Sequence, residues 1–138
     1  MNLPFLIAGA LALAGAAIHG MAGERLVVSK VRTEVLSPTP FGGPSMTKLM
    51  IRATWHITTI AFVVMGSAMA ACAPAGPSET CRAVGHVAAI SYASFAVLVV
   101  GLAAPQRPRA LPRALLRHPA PLIFALVAAL AWWGSAPH

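Results

Sequence analysis

Charge is what this sequence has least of. Of its 138 residues only 9% are charged, and only three side chains are acidic: Glu24, Glu34 and Glu79. A soluble domain carries about 25% charged residues. With 58% hydrophobic residues, so few charges cannot hydrate the surface of an ordinary soluble fold. The same apolar content excludes a disordered chain, which fails to fold for want of such residues. Acid is too scarce and too scattered for paired-carboxylate catalysis. There is also no HExxH, no Walker loop, no GxSxG and no Cys/His nucleophile arrangement. Catalysis is therefore not expected.

What the chain does have is four long uncharged runs, at residues 1–23, 53–78, 83–106 and 118–138. A membrane-spanning helix needs roughly 20 mainly apolar residues, about 30 Å of rise. All four runs meet that length, and the spacing predicts spans over 3–21, 50–71, 83–103 and 121–134. The stretch Val35–Thr47 is also uncharged, but it is short and holds Pro38, Pro40, Gly42, Gly43 and Pro44. It reads as a loop. No Lys or Arg precedes the first apolar run, as a cleaved signal would require, so it reads as a retained span. The expected fold is an all-α integral membrane protein: one four-helix transmembrane domain covering 1–138.

The basic residues orient it. Arg25, Lys30, Arg32, Lys48 and Arg52 cluster between the first two spans, and Arg107, Arg109, Arg113 and Arg117 between the last two. Only Arg82 falls on the other side. The positive-inside rule then places loops 23–48 and 105–118 in the cytoplasm and both termini outside. The net charge of +7 belongs to this topology rather than to a nucleic-acid surface. The lipid bilayer is the expected partner, with a homo-oligomer or larger membrane complex in view. Cys72 and Cys81, the only cysteines, flank the outer turn 72–82, where an oxidising compartment favours a disulfide. Trp55, Trp132 and Trp133 fall near span ends, as interfacial belt residues do.

Polar side chains inside the spans mark candidate sites. The first span carries a seam of Ala8, Ala12, Gly15, Ala16 and His19, small residues that invite another helix. The second carries Arg52, His56, Thr59, Val63, Gly66 and Ala70 on one face. His56 lies about 9 Å inside the cytoplasmic end of its span and His19 about 3 Å inside its own. Glu24 follows His19 by five residues. His19, Glu24, Arg52 and His56 are therefore expected as one polar cluster on the cytoplasmic half. His118 begins the fourth span on that side, whereas His86 lies near the outer end of the third. Glu24 could pair with Arg52, or Arg52 could simply reach the headgroups. His19 and His56 could bind a metal or b-type haem. The more ordinary role for a membrane histidine is a hydrogen bond to a threonine or a carbonyl.

The patterns His19-Gly-Met-Ala-Gly-Glu24 and Arg52-Ala-Thr-Trp-His56 together resemble small four-span bacterial membrane proteins. The resemblance implies no particular activity. Three readings follow. One is a non-catalytic accessory, scaffold or orphan protein of the bacterial inner membrane. Another is a redox module holding haem b or a metal through His19 and His56. The third is an oligomeric pathway for a small solute or for protons.

Overall fold

The computed structural model describes residues 1–76, 78–103 and 119–136. Loop 105–118, with its four arginines and His118, lies outside the described residues. Among those described there is no strand, only an isolated bridge between Thr39 and Gly42. The helices are α1 (Leu3–Ala17), α2 (Gly23–Leu26), α3 (Pro44–Ala75), α4 (Glu79–Ala103) and α5 (Ala120–Ser135). A π-helical turn, Ile18–Ala22, joins α1 to α2. Helical structure therefore continues past the expected end of the first span, and the stretch Leu3–Lys30 is 28 residues long.

Three segments are long and apolar enough to cross a membrane: Leu3–Lys30, Pro44–Ala75 and Glu79–Ala103. The fourth expected span forms α5, an apolar helix of 16 residues, or about 24 Å of rise. α3 is longer than expected because Pro44 opens it rather than breaking it. Proline's fixed φ suits the first helical position, where no N–H partner is needed. Upstream, Thr39 and Gly42 exchange backbone hydrogen bonds of 2.8 and 3.0 Å. Gly42 closes this turn at φ +148°, where a side chain would be strained. At the other end, Gly76 terminates α3 at φ +76°, and the Ser78 hydroxyl accepts the Cys81 N–H at 3.1 Å to cap α4. The connection between α3 and α4 is thus far shorter than the expected turn 72–82. Cys72 sits in the last turns of α3 and Cys81 in the first of α4. Their sulfurs are disulfide-bonded, with Cα atoms 5.5 Å apart.

The chain forms two compact units, Met1–Ala12 with the described part of Met65–His138, and Leu13–Val64. The first is packed through small residues. Phe5, only 1% exposed, fits between glycines: a Cβ at Gly85 would come within 2.8 Å of its ring, and one at Gly134 within 2.6 Å. Asn2 caps α1 by accepting the Phe5 N–H at 3.1 Å, while its amide donates to the Gly134 carbonyl at 2.7 Å. A Cβ at Gly9 would lie 2.9 Å from the backbone of Gly66 and Ala70, so the α1 and α3 backbones nearly touch there. α4 buries Gly85, Ala88, Ala89 and Tyr92, and α5 buries Val127, Ala128, Ala131 and Gly134. Trp132 and Trp133 keep more than half of their surface exposed.

Candidate functional site

The unit Leu13–Val64 contains His19, Glu24, Arg52 and His56 together. Arg52 and His56 are one helical turn apart on α3, so both reach in the same direction. Glu24, on α2, meets both: its Oε1 accepts from Arg52 Nη2 at 2.9 Å, and its Oε2 from His56 Nε2 at 3.2 Å. The carboxylate is 19% exposed, whereas Arg52 is 57% and His56 40% exposed. Glu24 is therefore the most enclosed of the three, and Arg52 and His56 are the more exposed. An ionised carboxylate can only accept, so His56 carries its proton on Nε2 toward Glu24.

His19 is held differently. Its Nδ1 lies 2.9 Å from Thr59 Oγ1, and the Thr59 hydroxyl donates to the Trp55 carbonyl at 3.2 Å. A hydroxyl has one proton to give. With that proton on the Trp55 carbonyl, Thr59 accepts from His19 Nδ1–H and Nε2 keeps the ring's lone pair; with it turned to Nδ1, the two nitrogens exchange roles. The ring stacks on the Trp55 indole, with centroids 4.2 Å apart and planes within 7°, and meets Phe62 edge-on at 5.5 Å.

The π turn makes this arrangement possible. In it, the Gly23 N–H bonds to the carbonyls of Ile18 and Gly20 rather than to that of His19. The His19 carbonyl instead accepts the Trp55 indole N–H at 2.9 Å. Single π turns recur where a helix must redirect its groups. Two glycines make room for the facing helix: a Cβ at Gly20 would come within 2.8 Å of the Thr59 methyl, and one at Gly23 would run into the Trp55 ring.

Trp55 thus faces the helix that bears His19. It and Thr59 are as central to the site as the charged groups. The sequence signal that points to them is the pair Gly20 and Gly23, three residues apart, which marks a close approach. On α3 the buried line runs through Phe62, Gly66 and Met69, while Val63 is 43% exposed. His86 stands elsewhere, beside Trp132 at 5.1 Å between ring centroids. Among the described residues no three His, Cys, Asp or Glu side chains converge as metal ligands do. The nitrogens of His19 and His56 not committed to Thr59 or Glu24 are Nε2 and Nδ1 respectively. Ligation through His56 Nε2 would first have to release Glu24.

The chain matches no family model, no curated protein and no solved structure.

Proposed function

We propose that the protein is a four-span component of the bacterial inner membrane with both termini outside, acting as a non-catalytic accessory or scaffold subunit. On this reading α5 completes the fourth crossing, and loops 23–48 and 105–118 face the cytoplasm. The excess of basic residues in those loops supports the orientation. The polar cluster is a lock between the first two spans. One observation carries this reading: the groups that would be costly in lipid satisfy one another. Both Glu24 oxygens are taken by Arg52 and His56, and His19 is engaged by Thr59 and Trp55. Intramembrane polar groups paired in this way hold helices together at modest gain per bond.

One observation favours the redox module as a second reading. The hydrogen bond to Thr59 engages Nδ1 of His19 and leaves Nε2 as the nitrogen through which a neutral imidazole would bind iron or copper. An absorption spectrum and metal analysis of detergent-purified protein separate the two. A lock predicts no Soret band and no stoichiometric metal. A Soret band that disappears in His56→Ala would establish the haem module in its place.

A further inference from the structure

The unit Met1–Ala12 with Met65–His138 has a cavity unrelated to the histidine cluster, with a volume of about 640 Å³. That is within the usual range for small-molecule and headgroup sites. Leu3, Pro4, Phe5 and Cys81 give it apolar walls, and Glu79 and Arg82 stand among its lining. The same two charged residues also line a smaller neighbouring hollow of about 180 Å³ with Ala83 and His86. Glu79, Arg82, Ala83 and His86 recur every three to four residues, so they share one face of α4.

The other polar side chains of the large cavity, those of Asn2 and Ser78, are already used. Asn2 donates to the Gly134 carbonyl and accepts from Phe5, and the Ser78 hydroxyl caps α4. The Glu79 and Arg82 side chains form no ion pair among the described residues, with each other or with any other group. Here a carboxylate and a guanidinium stand one turn apart, unpaired, at the rim of an apolar hollow. Trp132 packs beside His86, and an exposed tryptophan at a helix end marks headgroup level in a bilayer.

We infer that this cavity binds the headgroup of an ethanolamine phospholipid, with Arg82 taking the phosphate and Glu79 the ammonium. The inference rests on the membrane reading above. Arginine's fork matches phosphate geometry. A primary ammonium offers three N–H donors to a carboxylate, whereas a choline headgroup offers none and a glycerol headgroup no cation. The acyl chains would continue along Leu3, which is 53% exposed, and along Pro4.

The test is native mass spectrometry of the full chain, extracted in detergent, stripped of lipid by detergent exchange and titrated with phosphatidylethanolamine, phosphatidylcholine or phosphatidylglycerol. Ethanolamine lipid should bind about tenfold more tightly than either other, the worth of one charge-assisted hydrogen bond. Glu79→Gln should erase that preference, and Arg82→Gln should weaken binding of all three lipids. Both side chains lie clear of the packed core, so circular dichroism should show both variants folded. Equal binding of the three lipids, or variants that bind like the wild type, would overturn the site. A preference for phosphatidylglycerol would overturn the role of Glu79. Recovery of the protein in the alkali-soluble fraction of cells would overturn the membrane reading, and this site with it.

Discussion

The two units solve the problem of holding helices together in opposite ways. Met1–Ala12 with Met65–His138 uses shape: Gly9 lets the α3 backbone come close, Gly85 and Gly134 leave room that the Phe5 ring fills, and a disulfide ties α3 to α4. Leu13–Val64 uses polarity: Glu24 bridges Arg52 and His56, and His19 is clasped by Thr59 and Trp55. In lipid there is little hydrophobic drive between helices, so close packing and hydrogen bonds are the remaining adhesives. Each unit relies mainly on one of them. A steric contact fails when volume changes, whereas a polar one fails when a proton or a partner is removed. The same kind of substitution should therefore have unequal effects in the two units.

The largest effect should come from emptying the steric core. Phe5→Ala removes a ring that is 1% exposed and should lower stability by about 3–5 kcal/mol, read from thermal unfolding in detergent. A loss below about 1 kcal/mol would mean that the glycines close over the gap. Reducing the Cys72–Cys81 bond should cost about 2.5–3 kcal/mol on the chain-entropy account of a loop this short. Alkylation of the unreduced protein should find no free thiol.

Effects in the polar unit should be smaller. Glu24→Gln keeps the shape but weakens the bonds to Arg52 and His56. Both partners are partly exposed, so water offsets part of the loss and about 1–2 kcal/mol is expected. Trp55→Phe retains most of the stacking on His19 but removes the bond to its carbonyl, for about 1 kcal/mol. If either change equalled Phe5→Ala, the division between steric and polar cohesion would be lost.

Much of the steric unit was legible in the sequence. Ala8 and Ala12 stand at helical spacing and are buried, as are Gly85, Ala88 and Tyr92. The flanking cysteines announced their bond. Helix ends were less legible, because Pro44 can open a helix as readily as end one, and because charged residues from Glu24 to Lys30 did not stop helical structure at residue 21. Depth and spacing in the sequence grouped Glu24, Arg52 and His56 as candidates for one cluster, but left open whether Arg52 meets Glu24 or the headgroups. The places of Trp55 and Thr59 were not legible. They depend on the π turn, which turns on one shifted hydrogen bond at Gly23 and leaves no mark in hydrophobic periodicity.

If the cluster acts as one coupled lock, a double-mutant cycle on Glu24 and His56 reveals it most directly. Unfolding of Glu24→Gln, His56→Gln and the double variant should reveal a coupling of about 0.5–1.5 kcal/mol, with the double change costing less than the two single changes together. Strict additivity would show that Glu24 and His56 act independently, and would contradict the lock.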